Sequence, residues 1–283
     1  MATTTVFFNE LVSELSEMYD KEEAVNIMRL VFQEQLGLSR IDIAMENNKE
    51  IDAKSHKLIS QIAAKLLEGQ PVQQILGSVN FFGVRLKVNK HVLIPRPETE
   101  ELVQYILKEN NGDGLQVLDV GTGSGCIAIT LALGLQDSVV YGIDISQPAL
   151  ELAQINSITS NVNIDLINLD ILNEENWKKL KNYDIIASNP PYVLESEKIN
   201  MHINVLNHEP HLALFVPDKN PLLYYEKISD MALKHLCKNG KLYFEINKDY
   251  GKQIKKMLVQ KGFKDVVISK DINERDRFVR AVL

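Results

Sequence analysis

The stretch that decides the fold is LQVLDVGTGSGCIAITLALGL, residues 115–135. It opens with LQVLDV, a short apolar run typical of a buried strand, and closes with GCIAITLALGL, which predicts a helix. Gly121, Gly123 and Gly125 lie between the two. Glycines let the backbone turn sharply and let a ligand approach without a Cβ in the way. The stretch therefore predicts a strand, a tight turn able to receive a ligand, and a helix.

The same alternation continues to the end of the chain. VVYGIDI predicts a second strand and PALELAQINSI a second helix, opened by Pro148. Further strands and helices are predicted in the order NIDLINLD, YDIIASNPPYV, LLYYEKISDMALKHL, KLYFEI, YGKQIKKMLVQKG, FKDVVISKD and RFVRAVL. Strands separated by helices imply a largely parallel sheet covered on both faces, with ligands beyond the carboxyl ends of the strands. We predict an α/β, Rossmann-like domain.

The N-terminal part has a different pattern. Residues 5–70 are helical in periodicity, with almost no strand signal, and residues 79–94 alternate like a hairpin. The two prolines of IPRPETEE are expected to prevent a helix until Glu98. We therefore predict a small helical bundle domain over 1–75, a hairpin and linker over 76–97, and the α/β domain over 98–283.

Composition narrows the functional classes. The chain of 283 residues is 45% hydrophobic and carries a net charge of −7, which argues against a protein that grips a phosphate backbone. The cysteines Cys126 and Cys237 form neither a disulfide framework nor a metal-ligand spacing. His208 and His211 are close in sequence but lack a third ligand, so we predict no metal site. No secretory signal or membrane-spanning run is evident, so we expect a cytoplasmic protein without membrane contact.

The glycine loop and the next strand point to a nucleoside ligand. Its spacing is G-x-G-x-G, and a dinucleotide fingerprint would need glycine where Cys126 stands. Asp144 ends the next strand, where a carboxylate can accept hydrogen bonds from both ribose hydroxyls. No Gly-Lys-Ser/Thr follows the loop, so S-adenosylmethionine fits better than a nucleoside triphosphate. Asp119 is placed to attract the ammonium group of its tail. The alternative is a tight turn without a ligand.

The strongest signal is Asn189-Pro190-Pro191-Tyr192 at the end of a strand. Proline ends sheet pairing and fixes φ, and each residue before a proline is held extended. The motif thus presents two acceptors, the Asn189 side-chain oxygen and the Pro190 carbonyl, beside the aromatic face of Tyr192. Two acceptors can hold a planar NH₂ group and aim its nitrogen at an activated methyl group without a strong general base. A plain strand terminator is the alternative.

NPPYV, DVGTGSG and LIPRPETEELV together resemble the HemK/PrmC family, the protein-(glutamine-N5) methyltransferases of peptide chain release factors. PVQQILGSVNFFG, HEPHLAL at 208–214, LYYEKI at 223–228 and ERDRFVRA extend the similarity over essentially the whole chain. EIN at 245–247 departs from the pattern, in which a glycine is expected at the position of Asn247.

The resemblance implies a class I S-adenosylmethionine-dependent methyltransferase whose substrate is the glutamine of the Gly-Gly-Gln tip of class-1 release factors. It implies that the cofactor's methionine and ribose parts are held by Gly121, Thr122, Gly123, Ser124, Gly125 and Asp144. It places Asp170 and Ile171 at the adenine edge, Asn189 to Tyr192 around the glutamine amide, with Asn189 also in contact with the cofactor, and Pro95 to Glu100 at the pocket rim. The helical domain is expected to help dock the protein partner.

Two other functions remain open at this point. An N6-adenine methyltransferase acting on DNA or RNA would use Asn-Pro-Pro-Tyr in the same way, but it needs a basic groove that a charge of −7 disfavours. We therefore expect no direct nucleic-acid binding. A non-catalytic, cofactor-binding assembly factor is the other possibility, since a fold alone does not prove catalysis. The intact Asn189 argues against it.

Overall fold

The computed structural model describes residues 3–45 and 50–283. The α-helices are α1 (Thr4–Leu15), α2 (Lys21–Leu36), α3 (Arg40–Met45), α4 (Ala53–Leu67), α5 (Val72–Leu76), α6 (Pro97–Glu109), α7 (Cys126–Gly134), α8 (Gln147–Thr159), α9 (Ile203–His208), α10 (Leu223–His235) and α11 (Gly251–Gln260). The strands are β1 (Ser78–Phe81), β2 (Val84–Lys87), β3 (Gln116–Val120), β4 (Val139–Asp144), β5 (Ile164–Asn168), β6 (Tyr183–Ser188), β7 (Val193–Leu194), β8 (Phe215–Val216), β9 (Leu236–Glu245), β10 (Lys264–Lys270) and β11 (Asp276–Val282). Within these described ranges, no helix has both the length and the apolar character to cross a lipid bilayer.

The chain forms two compact units. The first contains the described residues up to Gly77 together with His202–His208, and the second contains Ser78–Met201 and Glu209–Leu283. The hairpin β1–β2 therefore belongs to the second unit. The short return segment His202–His208 has no periodicity that would indicate its place in the first unit. The predicted boundaries at 75 and 97 stay a prediction.

The first unit is a helical bundle with its own core. Asp20 caps α2 by accepting the N–H of Glu23 at 2.9 Å, and Gly37 ends the helix in the left-handed conformation. The ring of Phe8 packs edge-on against that of Phe32, with centroids 5.2 Å apart. The return segment is held by a hydrogen bond from Asn204 Nδ2 to the Tyr19 hydroxyl, 3.1 Å long. The prediction that the N-terminal domain is a helical bundle is thus confirmed.

The second unit is built on a seven-stranded sheet in the order β10-β11-β9-β6-β3-β4-β5. The neighbours β3–β4, β4–β5, β3–β6 and β6–β9 are parallel, and β11 runs against both β9 and β10. After β5 the chain returns to the other side of β3 to form β6. The strand order therefore reverses between β3 and β6, the place where ligands bind in such sheets. The predicted Rossmann-like fold is confirmed.

Alternating side chains cover the two faces of the sheet, as the period of a strand requires. Leu118 and Ile186 enter a core with the helices α10 and α11, whereas Val117 and Ile185 enter another with α6 and α7. One sequence prediction is wrong in detail, because α6 begins at Pro97 and not at Glu98. Proline fits the first helical position, where its missing N–H would have had no partner in the helix.

Candidate active site

A cavity of about 200 Å³ lies at the carboxyl ends of the parallel strands. Its lining includes residues of the glycine loop after β3 and of the Asn-Pro-Pro-Tyr motif after β6, which are far apart in the sequence. The predicted site residues that line it are Gly121, Gly123, Asp144, Asp170, Ile171, Asn189, Pro190 and Pro191. Val120, Ile143 and Leu169 give it an apolar wall. The two motifs therefore form one site.

The glycine loop is fixed to the neighbouring strand by its backbone. Gly121 N–H donates to the carbonyl of Ile143 at 2.9 Å, so the loop starts against the end of β4. Gly121 has a φ of 73°, and a Cβ built on it would meet no atom within 4 Å. The position thus combines a backbone conformation that favours glycine with open space at the cavity wall. A ligand of some bulk fits against this loop, as the prediction of a nucleoside cofactor requires.

Asp144 is held rigidly at the end of β4. Its Oδ2 accepts the N–H of Gly123 and its Oδ1 accepts the N–H of Ser146, both at 2.9 Å. Burial raises the pKa of this carboxyl, although the two backbone N–H groups oppose the shift. The remaining lone pairs of the two oxygens can still accept hydrogen bonds from a diol.

Asp119 lies beneath the loop and does not line the cavity. It is fully buried, and its Oδ2 accepts the hydroxyl of Thr122 at 2.6 Å and the N–H of Ala128 at 3.3 Å. Burial raises the pKa of Asp119 to about 7. Within the described residues its Oδ1 has no hydrogen-bond partner. The carboxylate therefore braces the loop against α7, and the predicted contact with an ammonium group stays a prediction.

Three more loop residues predicted to touch the cofactor, Thr122, Ser124 and Gly125, also lie outside the cavity lining. Thr122 and Ser124 are buried. A Cβ on Gly125 would lie 3.2 Å from Cβ of Ala153, so this glycine allows α7 and α8 to approach closely. These residues shape the loop, and their direct contact with a cofactor stays a prediction.

The segment after β5 forms another part of the cavity wall. Asp170 Oδ1 accepts the N–H of Leu172 at 2.9 Å, which turns the chain at this point. The buried indole of Trp177 donates its Nε1–H to the carbonyl of Ile171 at 3.0 Å and fixes that residue in the wall. Asp170 and Ile171 therefore offer a carboxylate edge and an apolar surface, a combination that suits a flat heterocycle.

The Asn-Pro-Pro-Tyr motif enters the cavity from β6. The Ser188 hydroxyl donates to the carbonyl of Val120 at 2.7 Å and fixes the end of β6 beside the glycine loop. The Nδ2 of Asn189 donates to Oγ1 of Thr99 at 3.1 Å, which leaves Oδ1 as the end of the amide able to accept a substrate N–H. Tyr192 does not line the cavity. Its hydroxyl donates to Oε1 of Glu245 at 3.2 Å, so its aromatic contact with a substrate stays a prediction.

Sequence reasoning missed two buried carboxylates beside the cavity. Glu245 ends β9, and the signal that could have found it is an acidic residue at the carboxyl end of the apolar strand KLYFEI. Glu209 accepts the N–H of Ile94 at 3.1 Å and pairs with Arg96. Glu209 thus ties Ile94 and Arg96 together in the linker. Within the described ranges, no group of three or more His, Cys, Asp or Glu residues could hold a metal ion.

Comparisons with known proteins agree with this geometry. Residues 8–77 match the PrmC N-terminal domain, and residues 98–211 match the methyltransferase small domain, which contains the glycine loop, Asp144 and Asn189. The chain is 42% identical to the release factor glutamine methyltransferase of Flavobacterium psychrophilum over 96% of each chain. It is 41% identical to that of Bacteroides thetaiotaomicron, over 94% of this chain and 95% of the relative.

Among solved structures, a methyltransferase from Pyrococcus furiosus has a similar fold, with a TM-score of 0.53 and 19% identity over 79% of this chain and 98% of that one. The matched domains and the open glycine cradle confirm S-adenosylmethionine as the cofactor. By its near full-length relatives and its matched N-terminal domain, the chain belongs to the release factor glutamine methyltransferase family of S-adenosylmethionine-dependent enzymes.

Proposed function

We propose that this protein methylates the side-chain amide nitrogen (N5) of the glutamine in the Gly-Gly-Gln motif of class-1 peptide chain release factors. The observation that carries the proposal is that Asn189 and Pro190 line the same cavity as the glycine loop and Asp144. The names of the relatives support the substrate, since they are release factor glutamine methyltransferases. A substrate of the translation apparatus also favours a cytoplasmic location.

The cofactor supplies an activated methyl group when it is bound. The protein holds the substrate amide by two acceptors, Oδ1 of Asn189 and the carbonyl of Pro190, each of which receives one N–H. Acceptors fixed in advance favour positive charge on the nitrogen, and they cost no reorganisation during the reaction. The nitrogen gains a bond to the methyl carbon while the bond between that carbon and the sulfonium sulfur breaks, its electron pair staying on the sulfur as a neutral thioether. The nitrogen loses one proton, which can leave after the transfer. No His, Lys or Cys is needed for this step, and the motif contains none.

The wall of the cavity supports the same chemistry. Val92 and Pro190 are buried, and Leu93, Leu169 and Leu212 add further apolar surface around the motif. Such a lining excludes water and strengthens the hydrogen bonds that hold the amide. An amide is a weak nucleophile, so orientation in a dry site is the contribution the protein must make.

The test is mass spectrometry of a purified release factor after incubation with the protein and S-adenosylmethionine. We expect one added methyl group on the Gly-Gly-Gln glutamine. Asn189→Ala should slow the transfer by roughly 10²–10³ because one oriented acceptor is lost. Asn182→Ala is the matched control, since this exposed residue lies just before the opposite end of β6 and should keep the wild-type rate.

Two outcomes would overturn the proposal. Methyl transfer to adenine in DNA or RNA, without transfer to the release factor, would identify a nucleic-acid methyltransferase. Tight cofactor binding without transfer to any of these substrates would identify an assembly factor. Binding of the wild-type protein to nucleic acid that weakens steeply with salt would also favour the first of these.

A further inference from the structure

We propose that Glu245, acting through Thr99, is a positioning residue that determines which end of the Asn189 amide faces the substrate. The inference rests on the proposed function, in which Asn189 receives the substrate amide through its oxygen. Neither Glu245 nor a role for Thr99 in orienting Asn189 was indicated by the sequence motifs. The three residues come from separate elements, namely the end of β9, the first turn of α6 and the residue after β6.

The three side chains form a continuous hydrogen-bonded chain. The hydroxyl of Thr99 donates to Oε2 of Glu245 at 2.7 Å, and Nδ2 of Asn189 donates to the same hydroxyl oxygen at 3.1 Å. Thr99 is 2% exposed and Glu245 is 1% exposed. Burial of Thr99 and Glu245 keeps water from replacing the bond between them, and the bond from Asn189 to Thr99 is partly buried at the cavity wall.

The direction of this hydrogen-bonded chain follows from what each group can donate. An ionised carboxylate only accepts, and a hydroxyl has one proton to give. The Thr99 hydroxyl donates its proton to Glu245, so its oxygen can only accept a hydrogen bond from Asn189. Asn189 must therefore turn Nδ2 toward Thr99 and keep Oδ1 for the substrate. A reversed amide would set two buried acceptors against each other, which is strongly unfavourable.

Glu245 also holds the other end of the motif, because its Oε1 accepts the hydroxyl of Tyr192 at 3.2 Å. One carboxylate thus reaches both Asn189, through Thr99, and Tyr192 directly. Among the charged groups that act on Glu245, Arg277 on β11 favours its ionised form, whereas Glu98 in the first turn of α6 opposes it. The other titratable groups coupled to it are Tyr192, Tyr225 and Cys126.

Protonation of Glu245 would remove the constraint. Burial raises the pKa of this carboxyl to about 7, against the opposing effects of Thr99 and Arg277. A protonated carboxyl can donate to Thr99, which is then free to donate to Oδ1 of Asn189. The amide could then turn its nitrogen toward the substrate. Methyl transfer should therefore decrease as the pH falls through about 7.

The kinetic test compares five proteins over a pH range that spans 7. Relative to wild type at alkaline pH, Glu245→Gln and Thr99→Val should lower kcat by roughly 10–100-fold. Their KM for S-adenosylmethionine should stay within about threefold. Glu245→Gln should also lose the acid limb, since an amide does not titrate. Thr99→Ser keeps the hydroxyl and should restore the rate. Thr159→Val is the control, because this exposed threonine at the end of α8 donates only to backbone carbonyls of its own helix.

A second measurement does not depend on the release factor. The side-chain ¹⁵N resonance of Asn189, identified by its loss in Asn189→Ala, should shift with pH near 7 in wild type and not in Glu245→Gln. If that shift occurs but no release factor is methylated, the proposed function fails and the positioning role stands. If wild type methylates and Glu245→Gln and Thr99→Val both keep its kcat and acid limb, the positioning role is wrong. Thr99→Val keeps the test valid should Glu245→Gln fail to fold.

Discussion

The backbone N–H of Gly123 donates a hydrogen bond of 2.9 Å to Oδ2 of Asp144. This bond joins the glycine loop after β3 to the acidic end of β4, so two features that the sequence shows separately act as one unit. The carboxylate that can bind a diol also fixes the loop that leaves room for a ligand. A change in either residue should therefore alter the affinity of the site for its cofactor.

Asp144→Asn should weaken S-adenosylmethionine binding by roughly 10–100-fold. The substitution removes a charged acceptor and turns an NH₂ group toward a backbone N–H, and hydrogen bonds to charged groups contribute about 1.5–3 kcal/mol each. Isothermal titration calorimetry measures the change. Asp165→Asn is the matched control, since this exposed aspartate lies on the adjacent strand β5. Equal affinity in Asp144→Asn and wild type would contradict a binding role for the carboxylate.

Glu209→Ala should destabilise the protein by about 2–3 kcal/mol, because it leaves the N–H of Ile94 without its acceptor and Arg96 without its partner. Because the side chain of Arg96 is about one third exposed, water can solvate its charge when Glu209 is removed. The loss of stability should therefore be smaller than for a fully buried ion pair. Urea denaturation measures the free energy of unfolding.

The control for Glu209 is an exposed ion pair. Glu175→Ala removes the partner of Lys178 on the surface and should cost less than about 0.5 kcal/mol. Because Leu93 lines the cavity beside the segment that Glu209 holds, Glu209→Ala should also weaken cofactor binding several-fold. Similar losses of stability in the two variants would show that Glu209 does not hold the linker.

Asp119 should give the stability a measurable pH dependence. Burial raises the pKa of its carboxyl from 3.8 to about 7. The folded chain keeps this proton between about pH 4 and 7 and the unfolded chain releases it, so this contribution to the free energy of unfolding falls as pH rises. Asp119→Asn lacks this contribution, so its stability relative to that of wild type should increase as the pH rises from about 4 to 7. Urea unfolding at several pH values measures this difference.

Asp137→Asn provides the reference for that experiment. Asp137 is exposed and has a φ of 51°, a conformation that asparagine tolerates well. Its stability should run parallel to that of wild type over the whole pH range. A parallel curve for Asp119→Asn as well would mean that Asp119 is ionised throughout and that its environment is less apolar than its burial implies.

The part of the site that local pattern could predict is the part made by strand ends. The glycine loop, Asp144 and Asn189 each follow a recognisable strand, and parallel strands bring their carboxyl ends to one edge. The pattern could not show on which side of the backbone a carboxylate lies. Asp119 shares the face of Val117, beneath the loop, because side chains alternate along β3. Its position away from the cavity follows from that alternation.

Contacts between parts of the chain that are distant in sequence could not be predicted from local sequence patterns. The hydrogen-bonded chain from Asn189 to Glu245 joins the residue after β6 to residues of α6 and β9, and no local spacing in the sequence connects them. The pairing of β11 with β9, which places β10 at the sheet edge, is likewise a choice between strands of similar composition. The return segment His202–His208 is short and mixes polar with apolar residues, so nothing in its composition assigns it to the helical unit.

A comparison of Gly121 with Gly37 distinguishes two roles of a glycine, namely adopting a positive φ and leaving space for a ligand. Gly121 has a φ of 73°, and Gly37, which ends α2 in the first unit, has a φ of 69°. A Cβ would meet no atom within 4 Å at either position. Gly121→Ala and Gly37→Ala should therefore both lose about 1–2 kcal/mol of stability from backbone strain. Only Gly121 lines the cavity, so only Gly121→Ala should also weaken S-adenosylmethionine binding, by about tenfold or more.

The pair of variants decides between two explanations for the loop. If strain alone matters, both variants lose stability and both keep the wild-type affinity measured by calorimetry. If the open space at the cavity wall is part of the binding site, affinity falls in Gly121→Ala and is unchanged in Gly37→Ala. Because the two positions share the same backbone conformation and the same absence of nearby atoms, a difference in affinity has to come from what occupies the space beside Gly121.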